Sequence, residues 1–206
     1  MDKNNEIKSP LLMVDSSEKD GKAEIVMDYI LSWCLRCTQD GYILDKPILK
    51  EKCTFMLSKL LGFSLTNKTI KSVKVWKEWE HIDLCVEVII SCETGEEKHA
   101  IMIENKYYTG LKLSKDTDGE YKNQILVYKK KFDHFYTSQK NLDINKLHYC
   151  VITCIYKNDD KFHDKFGYLG SGEYKWVNVY SLCELVPDNK KTESDIYNEF
   201  LLEDWY

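Results

Sequence analysis

Apolar positions repeat at helical spacing in the first part of the chain. Val26, Ile30, Trp33 and Cys37 follow one another at intervals of four, three and four residues, which places them on one buried stripe. A second helix is expected after Pro47, a residue suited to the first helical position, with Leu49, Cys53, Met56, Leu57 and Leu60 on its apolar face. Gly62 is placed to end it. The period then shortens. Ile82 to Ile90 and His99 to Lys106 are rich in β-branched residues and are parted by Glu93-Thr94-Gly95-Glu96, the pattern of a β-hairpin. The alternating stretch Ser72 to Glu80 is expected to feed straight into the first of these strands, with a bend near Glu78 to His81.

Beyond Lys106, Leu113 to Glu120 has the composition of a loop. A helix is expected from Tyr121 to Phe135, with Tyr121, Ile125, Tyr128, Phe132 and Phe135 as its stripe. Gln124 and Tyr128 lie one turn apart on it. The nearly continuous apolar run His148 to Tyr156 reads as a strand buried on both faces. Lys175 to Tyr180 reads as another strand, leading into a short helix around Leu182 to Leu185, and the tail from Glu193 to Leu202 is acidic and amphipathic. This order predicts an α/β protein with a mixed central β-sheet flanked by α-helices.

Length and composition narrow the picture. The 206 residues leave room for one α/β domain, expected over residues 22–206 after a loosely ordered leader at residues 1–21. An apolar content of 43% suffices for a core. The net charge of -5 gives no global sign of nucleic-acid binding, so charge has to be judged locally. Eight cysteines are enough for a disulfide framework, yet the polar opening Met1-Asp2-Lys3-Asn4-Asn5-Glu6 resembles no secretory signal, which favours a cytoplasmic protein with reduced thiols. Cys34 and Cys37 form a C-x-x-C, but inside an apolar helical run they read as buried residues rather than a metal or redox pair. No apolar run approaches the roughly 20 residues needed to cross a bilayer, so no membrane contact is expected.

Candidate chemistry gathers in the hairpin. Strand side chains alternate faces, so Glu104 and Lys106 point the same way while Ile101 and Ile103 point into the opposite layer. If the chain reverses between Glu93 and Thr94, Asp83 lies opposite Glu104; if between Thr94 and Gly95, opposite Lys106. Both registers put Asp83, Glu104 and Lys106 on one patch. The hard carboxylate oxygens of Asp83 and Glu104 suit Mg²⁺, with Mn²⁺ as substitute, and Lys106 could orient an attacking water in phosphodiester hydrolysis. An exposed ion pair at a strand end is the plain alternative. Glu120-Tyr121-Lys122 and Glu173-Tyr174-Lys175 share the E-x-K spacing, but neither has a hairpin partner carrying an aspartate. Glu87 shares the face of Asp83 but lies on the order of 13 Å along the strand, so it reads as a rim residue.

The run Asp83-Leu84, the hairpin, Ile101-Met102-Ile103-Glu104-Asn105-Lys106 and Gln124-Ile125-Leu126-Val127-Tyr128 resembles the PD-(D/E)xK nuclease superfamily. It is closest to the bacterial branch with I-D-L, I-E-N-K and Q-x-x-x-Y motifs. Glu24 and Leu31-Ser32-Trp33 resemble the acidic residue and Leu-Ala-Trp segment of that branch, and Trp176 to Leu185 its closing strand and helix. Ile82 stands where the wider superfamily has Pro, as is frequent in this branch, and the chain departs from the branch at Met27 and His81, where His and Arg would stand. The resemblance implies a restriction-endonuclease-like core and a metal-dependent nuclease acting on DNA. It further implies Asp83 and Glu104 as metal ligands with the Asn105 backbone carbonyl as a third, Lys106 as the catalytic lysine, Gln124 as a supporting residue and Glu24 as an added carboxylate.

A basic and aromatic rim is expected to hold the substrate backbone: Tyr107, Lys112, Lys115, Lys122, Tyr128 and Lys129, beside Tyr108, Lys130 and Lys131. The competing reading is a nuclease-like fold used as a non-catalytic binding or assembly module, motivated by the acidic net charge. A homo-oligomer is compatible with either.

Overall fold

The computed structural model describes residues 22–93, 95–106, 109–116, 118–155, 157–166, 174–183, 191–198 and 201. The leader at 1–21, Tyr107, Tyr108, the end of the closing helix at Leu185 and part of the acidic tail lie outside these residues.

Two helices open the described chain, α1 (Lys22–Cys37) and α2 (Pro47–Leu61). Pro47 stands at the start of α2, and Gly62 ends it in the left-handed conformation at φ 85°. Three antiparallel strands follow: β1 (Thr69–Trp79), β2 (Ile82–Cys92) and β3 (Gly95–Lys106). After a two-stranded ribbon, β4 (Leu113–Lys115) and β5 (Tyr121–Asn123), come α3 (Gln124–His134) and β6 (Leu147–Thr153). The helix α4 (Asp160–Phe166), the strand β7 (Lys175–Asn178), α5 (Val179–Cys183) and α6 (Asp195–Tyr197) complete the order. The central sheet runs β1-β2-β3-β6-β7, antiparallel from β1 to β3 and parallel from β3 to β7, so it is mixed.

Alternation along the central strands sorts the core into two layers. Leu84, Val86 and Val88 of β2 and Ile101 and Ile103 of β3 pack with Leu31, Leu35, Met56 and Leu57 of α1 and α2. On the opposite face Cys85, Ala100, Met102 and Val151 pack with Ile125, Phe132 and Tyr136 of α3 and the turn after it. With both faces covered, β3 is buried from His99 to Lys106, which is why its sequence reads as an unbroken apolar run until its last residues.

Three elements differ from the sequence expectation. The stretch through Ser72 to Glu80 does not run on into β2; it is a separate strand that turns back at Glu80 and His81. Trp79 pairs with Ile82, and both turn residues take left-handed φ values, 53° and 72°. That is the geometry of a tight hairpin turn, which Asn-Gly usually signals and Glu-His does not. Where a loop and the first turn of a helix are expected, Leu113–Lys115 and Tyr121–Asn123 form a ribbon. Asn123 caps α3 by accepting a hydrogen bond from the Ile125 amide at 3.0 Å, so the helix starts at Gln124 and Tyr121 stays exposed. The helix α4 has no counterpart in the sequence reading. Cys34 and Cys37 are buried free thiols, as a helix-interior position requires.

Candidate active site

The hairpin register decides between the two alternatives left open by the sequence. Leu84 pairs with Ile103 and Cys92 with Gly95, the first of the two registers, in which Asp83 falls opposite Glu104. Both carboxylates meet Lys106: its Nζ lies 2.7 Å from Glu104 Oε1 and 3.7 Å from Asp83 Oδ2. Asp83, Glu104 and Lys106 therefore share one face at the carboxyl end of β3.

The neighbouring residues fix these side chains. The Asn105 backbone N–H donates to Asp83 Oδ2 at 2.6 Å, while the Asn105 side chain points to the other layer and donates to Asp28 Oδ1 at 3.0 Å. Gln124, the first residue of α3, is 4% exposed and links two elements to the site. Its Oε1 accepts from the Lys112 amide at 2.7 Å, which orients Nε2 to donate to Glu104 Oε1. Glu24, in the first turn of α1, accepts from Thr109 Oγ1, three residues beyond Lys106.

Electrostatically the site is short of positive charge. Burial pushes the Glu104 carboxyl up to about 7, and repulsion from Asp83 adds to this against the pull of Lys106. Burial likewise raises Asp83, opposed by Lys106. For Lys106, burial acts to lower the ammonium, but Glu104 and Asp83 outweigh it and hold it above its ordinary range. Behind them burial lifts Asp28 to about 6, against its hydrogen bond with Asn105. Two carboxylates thus compete for one ammonium.

One atom marks what the arrangement can accept. Glu104 is 1% exposed, and its Oε2 is buried without a hydrogen-bond partner among the described residues. A carboxylate oxygen left bare in a buried site costs free energy unless a cation or donor reaches it. Among the described residues no three His, Cys, Asp or Glu side chains converge. Two hard carboxylates next to an orphaned oxygen fit a cation that keeps most of its waters, as Mg²⁺ does, and do not fit an ion that needs a closed protein cage.

The expected substrate rim divides in two. Lys122 is engaged by Asp116, Asp118 and Glu120, Lys129 bonds Asp133 at 2.8 Å and lies over the Tyr149 ring, Lys130 bonds Asp116 at 2.5 Å, and Lys131 bonds Glu80 at 3.2 Å. Lys112 and Lys115, on and beside the ribbon, are exposed and form no ion pair with a described residue. Tyr128 is half-buried against the α3-side core. Glu87 pairs with Lys98 at 3.1 Å, away from the carboxylate pair. Asp28 escaped the sequence reading, although its place one helical turn after Glu24 was the available signal. No known protein family, no curated protein and no solved structure matches this chain.

Proposed function

We propose that the chain is a metal-dependent nuclease with a restriction-endonuclease-like core that hydrolyses phosphodiester bonds, with DNA as substrate and Mg²⁺, or Mn²⁺ in its place, as cofactor. The observation that carries this reading is the meeting of Asp83, Glu104 and Lys106 on one face, with Glu104 Oε2 buried and unbonded. Asp83 and Glu104 would hold the cation, with the Asn105 carbonyl as third ligand and Glu24 as a further carboxylate. When bound, a divalent ion supplies Lewis acidity at the phosphoryl group and offsets the charge that builds there.

The chain's own residues do the rest. Lys106 orients the attacking water and places an ammonium where the phosphoryl oxygens gain charge. Gln124 holds the Glu104 carboxylate and, through Lys112, ties the β4–β5 ribbon to the site. Asn105 fixes Asp83 by its backbone and is itself fixed by Asp28. Lys112 and Lys115 are the cations left to meet the substrate backbone, whereas Lys122 and Lys129 are occupied by carboxylates of the chain. That same neutralisation favours the second reading, a nuclease fold serving as a non-catalytic module.

Incubating the purified protein with DNA in Mg²⁺ or Mn²⁺ separates the two. Cleavage is expected, and its loss in Glu104→Ala and in Lys106→Ala. Cleavage that persists unchanged in both variants overturns the site. No cleavage of DNA or RNA overturns the enzymatic reading and leaves the module.

A further inference from the structure

The polar chemistry at this end of the sheet does not stop at β3. Lys106 pairs in register with Thr153 at the end of β6, and Thr153 with Asn178 at the end of β7. Register partners share a face, and the preceding row, Glu104, Val151 and Trp176, confirms which: Val151 and Trp176 pack in the α3-side core. Cation, hydroxyl and amide thus form a row across the carboxyl ends of three parallel strands. Open α/β sheets bind ligands at that edge. With neighbouring strands about 4.8 Å apart, Asn178 stands roughly 10 Å from Lys106.

The Asn178 amide has one end fixed and one end unmet. Its Oδ1 accepts from the Tyr180 backbone N–H at 2.9 Å, closing the turn into α5, so the other end of the amide is the NH₂ group. That Nδ2 is buried and has no acceptor among the described residues. Buried donors are nearly always satisfied in native proteins, so an acceptor from outside the chain is the natural complement. Phosphate oxygens are the acceptors that a nucleic-acid strand brings to a row headed by an ammonium, and Asn side chains commonly bind them.

We propose that Asn178 Nδ2 donates to a non-scissile phosphate of the bound strand, which follows the sheet edge from Lys106 towards Asn178. This rests on the nuclease reading above. Asn178 binds substrate and takes no part in the bond-breaking step.

Two substitutions test this. Asn178→Asp keeps an oxygen for the Tyr180 amide but replaces the donor with an acceptor; Asn178→Ala removes both. Three quantities are read for each variant: melting temperature, affinity for a fluorescein-labelled DNA duplex in EDTA, and KM and kcat in Mg²⁺. For Asn178→Asp the melting temperature is expected to stay near wild type while DNA affinity falls about tenfold and KM rises by a similar factor, more than kcat changes. Wild-type affinity and KM in Asn178→Asp, with destabilisation in Asn178→Ala alone, would assign the residue to the turn and overturn the proposal. Should wild type bind DNA without cleaving it while Asn178→Asp binds more weakly, the nuclease reading falls and the phosphate contact stands. Should wild type neither bind nor cleave, both fall.

Discussion

Replacing Glu104 with Gln should make the metal-free protein more stable, and only at the pH where the carboxylate is charged. The folded protein holds a proton on Glu104 until about pH 7, whereas the unfolded chain releases it near 4.5. Between those values the folded state binds more protons than the unfolded one, so wild-type stability falls as pH rises through this window. At about 1.4 kcal/mol per pH unit the ceiling is roughly 3 kcal/mol at pH 8. Because Asp83 shares the same ammonium, a net gain of roughly 1–3 kcal/mol is expected for Glu104→Gln, or about 3–9 °C in a chain of this size. Thermal and urea unfolding in EDTA at pH 4.5 and pH 8 measure it. Most of the difference should vanish at the lower pH. Titrating Mn²⁺ at pH 8 should then raise wild type, by about 2.7 kcal/mol at a hundredfold excess over Kd, and leave Glu104→Gln unmoved. A variant less stable than wild type at pH 8 would mean that the Glu104–Lys106 pair is a net stabilising contact and that the site is a structural ion pair.

Gln124→Ala strips a buried acceptor from the Lys112 amide and a donor from Glu104, and should cost about 1–3 kcal/mol in urea unfolding, with faster hydrogen exchange across the β4–β5 ribbon. Exchange in the ribbon that stays at the wild-type rate would show that Gln124 does not anchor it. The left-handed His81, at φ 72°, offers a check on the turn that sets Ile82 and Asp83 in place. His81→Gly is expected to stabilise by about 0.5–1 kcal/mol and the β-branched His81→Val to destabilise. Equal stability of the two variants would contradict that turn geometry.

Much of this was readable in the residues themselves. Strand alternation places Asp83, Glu104 and Lys106 on one face whichever way the hairpin turns, and the structure has them there, in the first of the two registers. Pro47 and Gly62 bracket α2 because each backbone preference is local. The misses have equally local causes. Glu80-His81 folds as a tight turn without the residues that signal one, so β1 and β2 read as one extended stretch. Tyr121 fits a helical stripe by spacing alone, but Asn123 caps the helix two residues later and the ribbon takes the tyrosine. Ion pairs depend on which elements meet in space. Asp116 faces Lys122 and Lys130 only once the ribbon folds onto α3, so a run of lysines that looked like a basic rim is largely neutralised. Asp28 became part of the site through Asn105, 77 residues away, a contact that no sequence spacing announces.

The proposed nuclease activity requires Asp83 and Glu104 to share one divalent ion. Crystals soaked in Mn²⁺ and measured for anomalous scattering test it directly. A peak within coordination distance of both carboxylates, with Lys106 moved off Glu104, is the expected result. Mn²⁺ at other sites while Lys106 still bridges the two carboxylates would contradict it.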